Sequence, residues 1–171
     1  TLDAEARRFD LASLGQEFLF VWENHAAAPP SRSVRGLRLA ATGDIVQQVD
    51  NSFSIPAIAG GEHFEPRLIT DLANDRYAVV WTQKADGELG RTRLRGAWIT
   101  PSGVEEWLSP PVEHTDEVKT SDQDQATAAF GPAHALVVWR DNRTGVERIY
   151  GAMRGGDDPK CDPAGFPISS S

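Results

Sequence analysis

The sequence predicts an all-β fold made of three four-stranded antiparallel units, each about 58 residues long. Short runs of alternating apolar residues are typical of strands, and Gly, Pro, Asn and Asp separate these runs at close intervals. A strand pattern that ends in tryptophan also occurs three times, at Phe18–Trp22, Tyr77–Trp81 and Ala135–Trp139. We therefore predict three units that pack as one structure, at residues 1–59, 60–115 and 116–171.

The first unit opens with a polar stretch, Thr1–Arg8, which is predicted as a frayed end or a short helix. Gly15 and Gln16 form the first turn. The stretch Asn24–Ser33 is a loop because its two prolines lack an N–H and fix φ. Alternation between these breaks predicts strands at Phe9–Leu14, Phe18–Glu23, Val34–Ala40, Ile45–Val49 and Phe53–Ile58.

The second and third units follow the same plan. Turns are predicted at Asn74-Asp75 and within Asp86–Gly90, and the polar run His114–Asp124 precedes the third unit. The second unit has predicted strands at Pro66–Thr70, Arg76–Thr82, Thr92–Thr100 and Val104–Leu108. The third has a first strand at Ala126–Phe130, then the hairpin Ala135–Gly151, and a last strand at Phe166–Ile168.

The hairpin Ala135–Gly151 has the strongest pattern. Its first strand is apolar on both faces, with Ala135, Val137 and Trp139 on one side and Leu136 and Val138 on the other. This pattern predicts a strand that neighbours cover on both sides. We also expect Trp22, Trp81 and Trp139 to be core residues rather than platforms on which sugars stack.

The three tryptophans recur at a nearly constant interval. Trp22 and Trp81 are 59 residues apart, and Trp81 and Trp139 are 58 apart. A repeat of this size with four short strands is typical of a β-propeller blade with long loops. Closed propellers use about four to eight blades, so three cannot close a ring. Three arrangements remain open: a piece of a longer propeller, a six-bladed ring completed by a second copy, or a β-trefoil, which closes with three units.

The third unit carries Val138-Trp139-Arg140-Asp141-Asn142-Arg143-Thr144-Gly145, then Ile149-Tyr150. This resembles the Val-Trp-x-Asp-x-Arg-x-Gly and Ile-Tyr signature of β-propeller repeats in bacterial and archaeal exported and cell-surface proteins. The first and second units depart from it, with Glu23-Asn24-His25 and Thr82-Gln83-Lys84 at the matching positions. The resemblance implies a scaffold outside the cytoplasm and supplies no catalytic residue. Asp141 and Arg143 are expected to lock the turn.

Composition narrows the classes of partner. A formal charge of −8 argues against nucleic acid, which requires clustered Lys and Arg. No apolar run approaches the roughly 20 residues of a membrane helix, so membrane insertion is not expected. No signal peptide stands at Thr1, which indicates a removed leader or a piece of a longer chain. Two arginine trios with period-2 spacing are predicted to lie on solvated strand faces: Arg32, Arg35 and Arg38, and Arg91, Arg93 and Arg95.

No catalytic, cofactor-binding or metal-binding residue is predicted from the sequence. Cys161 is the single cysteine and is expected to be inert. Two acidic stretches, Thr115–Asp124 and Asp157–Asp162, offer oxygen ligands but lack the spacing of a calcium loop. The four histidines are scattered and are predicted as surface or hydrogen-bonded residues: His25, His63, His114 and His134.

The expected function is a noncatalytic, extracellular or cell-surface binding module that recognises a protein or glycan partner. The alternative is a fragment of a carbohydrate-active propeller enzyme whose acid and base lie on other blades, since such chemistry needs two groups flanking one bond.

Overall fold

A computed structural model of the chain describes residues 6–26, 32–42, 53–54, 61–84, 91–100, 103–108, 121–132, 134–154 and 165–169. All regular secondary structure in these ranges is β-strand, arranged as three antiparallel sheets of four strands. The all-β prediction is therefore confirmed. The described strands form three separate sheets and not the single closed barrel that a trefoil requires.

Each sheet follows chain order, so every strand pairs with the next one along the chain. Sheet A consists of β1 (Ala6–Leu14), β2 (Glu17–His25), β3 (Arg32–Ala40) and β4 (Phe53–Ser54). Sheet B consists of β5 (Glu62–Asp71), β6 (Arg76–Lys84), β7 (Thr92–Thr100) and β8 (Gly103–Leu108). Sheet C consists of β9 (Gln123–Phe130), β10 (Ala135–Asp141), β11 (Arg148–Arg154) and β12 (Phe166–Pro167).

Most strands extend beyond their predicted bounds. β1 begins at Ala6, so the helix or frayed end predicted for Thr1–Arg8 is wrong at residues 6–8. β9 begins at Gln123, inside the run predicted to be a polar connection. The turn at Gly15 is confirmed, with a φ of 58° that glycine adopts without a Cβ clash. The strand predicted at Ile45–Val49 lies outside the described residues.

The sheets stack face to face, and their first strands β1, β5 and β9 are neighbours. Sheet B lies between the other two. One core fills the space between sheets A and B, and it includes Leu19, Val21 and Val34 from A and Tyr77, Val79 and Trp81 from B. A second core joins B to C, and it includes Ala78, Val80 and Leu94 from B and Val137, Trp139 and Tyr150 from C.

The three tryptophans occupy the second strand of their sheets and are 3%, 2% and 1% exposed in chain order. Their prediction as core residues is confirmed. The prediction that both sides of β10 are covered is wrong, because in the described part of the chain sheet C has a neighbouring sheet on one side. Leu136 on the other side is 37% exposed. β6 in the middle sheet is buried on both faces along nearly its whole length.

The arginine trios were predicted to face solvent, and this is wrong for Arg38 and Arg93. The Arg38 side chain pairs with Glu17 at 2.8 Å and donates to the carbonyl oxygen of Thr100 in sheet B at 3.3 Å. Arg93, 8% exposed, donates to the carbonyl oxygen of Ser121 at 2.6 Å, just before sheet C begins. Both guanidinium groups therefore bridge neighbouring sheets.

Candidate functional site

The first strand of every sheet is interrupted near its start by a β-bulge. The residues at the bulges are Arg8, Glu65 and Gln125, with φ angles of 41°, 57° and 52°. Residues other than glycine rarely adopt positive φ, and they do so mainly where the surrounding structure holds them. Bulges are also frequent beside binding and active sites, where they redirect a side chain. Three such residues on adjacent strands mark this end of the fold as the candidate site.

Glu65 joins the three bulges. Its carboxylate forms an ion pair with the guanidinium of Arg8 and accepts the backbone N–H of Gln125 at 3.2 Å. Its own backbone N–H donates to the carboxylate of Glu23 in sheet A at 3.2 Å. The other oxygen of Glu23 lies 2.5 Å from Nε2 of His25. One carboxylate from sheet B therefore links sheets A, B and C at the start of their first strands.

These residues border a cavity of about 570 Å³, which we call the inner cavity. Its described lining is Arg8, Glu65, Arg67, Gln125, Ala126 and Thr127. The volume lies in the range of pockets that hold a small molecule or one or two sugar residues. The lining combines guanidinium, carboxylate, amide and hydroxyl groups, so the cavity can both donate and accept hydrogen bonds.

Arg67 is the guanidinium available to a ligand. It is exposed, lines the inner cavity, and pairs with no side chain in the part of the chain that the structure describes. Glu65 is the one carboxylate in the described lining, and Arg8 already neutralises it. This arrangement suits a ligand that carries a carboxylate, since guanidinium groups bind carboxylates with two parallel hydrogen bonds.

His63 of β5 differs from the sequence prediction for the histidines. It is 1% exposed, its ring lies 5.7 Å from that of Trp81, and neither ring nitrogen meets a hydrogen-bond partner among the described residues. Burial, aided by the positive charge of Arg95, lowers the pKa of His63 from 6.5 to about 4. The ring is therefore neutral at pH 7.

The turn after β10 is locked as predicted. Asp141 is 1% exposed and accepts the backbone N–H of Arg143 at 2.8 Å, the Arg143 guanidinium at 2.5 and 3.0 Å, and the indole N–H of Trp139 at 3.1 Å. Burial alone raises the pKa of Asp141, but the hydrogen bonds from Arg143 and Trp139 outweigh it and hold the pKa below its usual range. These contacts are structural and lie apart from the inner cavity.

The predicted acidic stretches do not come together as a site in the described part. Asp122 accepts the backbone N–H of Thr92 at 3.0 Å, and Asp124 forms two hydrogen bonds of 2.7 Å with Arg140. Within the described ranges, no three His, Cys, Asp or Glu residues are grouped closely enough to hold a metal ion. Cys161 and the residues Asp157–Asp162 lie outside these ranges.

Among the described residues, no helix combines the length and the hydropathy that crossing a bilayer demands.

Arg8, Glu65 and Gln125 were not predicted as site residues from the sequence. Their side chains share no chemistry, and none is a residue type that favours positive φ. Their spacing was the available signal, because 57 and 60 residues separate them and the tryptophans recur at nearly the same interval. Comparison with known proteins finds no family model and no curated sequence that matches the chain.

Proposed function

We propose that the chain is a noncatalytic binding module of the β-propeller type, located outside the cell or on its surface, and that the inner cavity receives a group of a glycan or protein partner. The three sheets are then adjacent blades, with β1, β5 and β9 as their innermost strands. The four-stranded sheets stack face to face, and their first strands are neighbours. This arrangement supports the proposal, since propeller blades stack in this way.

The observation that carries the binding function is the convergence of three bulges on one polar cavity. The ion pair of Arg8 with Glu65 and the Gln125 hydrogen bond fix the lining before a ligand arrives. A preorganised lining loses less conformational freedom on binding. The cavity volume of about 570 Å³ favours a glycan over the larger contact surface of a folded protein.

The position of the carboxylates favours binding over hydrolysis. Glycoside hydrolysis requires two carboxyl groups about 5 to 10 Å apart, flanking the bond. The described lining contributes one carboxylate, that of Glu65, and its contacts with Arg8 and with the backbone N–H of Gln125 already occupy it.

The test is binding to matched pairs of neutral oligosaccharides and oligosaccharides that contain a uronic acid, with the release of reducing ends measured in the same samples. We expect the wild-type chain to bind the carboxylated member of a pair without cleaving it. Arg67→Ala should raise its Kd about ten- to a hundredfold, the effect of losing a hydrogen bond to a charged group.

Arg7→Ala is the matched control, because Arg7 is also an exposed arginine near the start of a first strand but does not line the cavity. It should leave the Kd unchanged. Cleavage of the sugar that Glu65→Gln abolishes would contradict the proposal and support the carbohydrate-active enzyme. Capture of a protein partner that is insensitive to Arg67→Ala would move recognition away from the inner cavity.

A further inference from the structure

The two outer faces of the three-sheet stack carry exposed apolar side chains. On sheet A, Phe9 and Leu11 are 68% and 56% exposed, and they lie opposite Trp22 and Phe20 on the adjacent strand. On sheet C, the exposed apolar residues are Leu136, Ile149, Met153, Phe166 and Ile168. Scattered apolar residues are ordinary on a protein surface, but contiguous groups mark places where another protein binds.

The same two kinds of face meet inside the chain. We call the side of a sheet that bears Trp22, Trp81 or Trp139 its tryptophan face, and the other side its plain face. The tryptophan face of sheet B packs on the plain face of sheet A, and the tryptophan face of C packs on the plain face of B. Among the described residues, no sheet packs on the tryptophan face of sheet A or on the plain face of sheet C, and we call these two faces free. Trp22 itself is buried, with the ring of Phe20 stacked on it at 5.5 Å, so the exposed part of the first face is formed by Phe9, Leu11 and Phe18.

Residues at matching positions show what the free faces lack. On the plain faces, Leu19, Ala78 and Leu136 each stand three residues before the tryptophan of their strand. The first two are completely buried, whereas Leu136 is 37% exposed. On the tryptophan faces, Tyr77 is 1% exposed and Phe18, at the matching position in sheet A, is 38% exposed. A neighbouring sheet of the same kind would cover both free faces.

We propose that this neighbour is a second copy of the chain, bound head to tail. The free tryptophan face of sheet A in one copy packs on the free plain face of sheet C in the other, and the reverse contact follows by symmetry. Both contacts continue the interfaces that already join A to B and B to C. Two copies give six sheets, the one multiple of three within the roughly four to eight blades of closed propellers.

This inference rests on the propeller-type arrangement proposed above but not on the ligand of the inner cavity. A chain that dimerises and binds no glycan would contradict only the binding proposal. A chain that binds the glycan as a monomer would contradict only the second copy.

The test is the solution mass of the full chain by light scattering, together with two variants. We expect the wild-type chain to have twice its 18.6 kDa mass. Phe9→Glu and Leu136→Glu each place a charge on one of the two faces, and each should give a monomer with an unchanged far-UV circular dichroism spectrum. Leu72→Glu is the matched control, because Leu72 is 77% exposed in the turn after β5 and should leave the dimer intact.

Leu11→Gln and Ile149→Gln make milder changes on the same faces and should also give monomers, which guards against misfolding of the glutamate variants. A monomeric wild-type chain would overturn the proposal. So would open-ended polymers, since the contact would then not close. A dimer disrupted by changes on one face alone would also overturn it, because a head-to-tail contact needs both faces.

Discussion

Replacing Asp141 with alanine is expected to lower the free energy of unfolding by about 3–5 kcal/mol, the cost of leaving a buried charge without its partner. The carboxylate is 1% exposed, and the Arg143 side chain that it pairs with is 7% exposed. Its removal also leaves the buried indole N–H of Trp139 without the acceptor that it now uses. The measurement is denaturation by urea at pH 7, where the depressed pKa of Asp141 keeps the carboxylate fully charged in the folded state.

Asp124→Ala is the matched control, because the ion pair of Asp124 with Arg140 is partly open to solvent. The side chains of Asp124 and Arg140 are 24% and 33% exposed. An ion pair that is open to solvent in this way contributes about 1 kcal/mol or less to the free energy of unfolding. Asp141→Asn keeps one acceptor oxygen and should fall between the two. Equal losses for Asp141→Ala and Asp124→Ala would show that the turn lock does not stabilise the fold as described.

Mild acid is expected to destabilise the fold through His63. The pKa of His63 is about 4 in the folded chain and 6.5 for an unperturbed histidine, which is the value expected in the unfolded chain. The unfolded chain therefore binds the proton first as the pH falls. The stability contributed by the neutral ring is fully present above pH 6.5 and is lost progressively down to about pH 4. The total loss is about 3 kcal/mol, of which about 2 kcal/mol falls between pH 7 and pH 5.

The measurement compares urea denaturation of the wild-type chain and of His63→Phe at these two pH values. Phenylalanine keeps an aromatic ring beside Trp81 and cannot take up a proton. The difference in stability between pH 7 and pH 5 should therefore be smaller in the variant by about 2 kcal/mol. The same pH dependence in both proteins would mean that His63 is protonated in the folded chain or is not buried.

The local sequence pattern was sufficient to predict most strands and to assign the three tryptophans to the core. Both predictions depend on alternation and turn residues, which act over a few positions. The pattern could not show which sheet lies in the middle. The strands around Trp81 and Trp139 are both apolar on two faces in the sequence, yet only the first is covered on both sides. The difference arises from the number of neighbouring sheets, which no local pattern records.

The inner cavity could not be predicted from the sequence for a related reason. The ion pair of Arg8 with Glu65 joins residues 57 positions apart, and neither residue type favours the positive φ that both adopt. Arg38 and Arg93 illustrate the same limit. Period-2 spacing assigns them to one face of a strand, but their acceptors are backbone carbonyl oxygens far along the chain.

The most direct test of the account is a set of nuclear Overhauser effects from the indole protons of Trp81 and Trp139 in a methyl-labelled sample. The account predicts cross-peaks from Trp81 to methyl groups of sheet A, among Leu19, Val21 and Val34, because these residues share one core. It also predicts cross-peaks from Trp139 to Val80 or Leu94 of sheet B. Cross-peaks confined to each tryptophan's own sheet would contradict the face-to-face stacking of the sheets. The inner cavity, the binding function and the second copy all depend on this stacking.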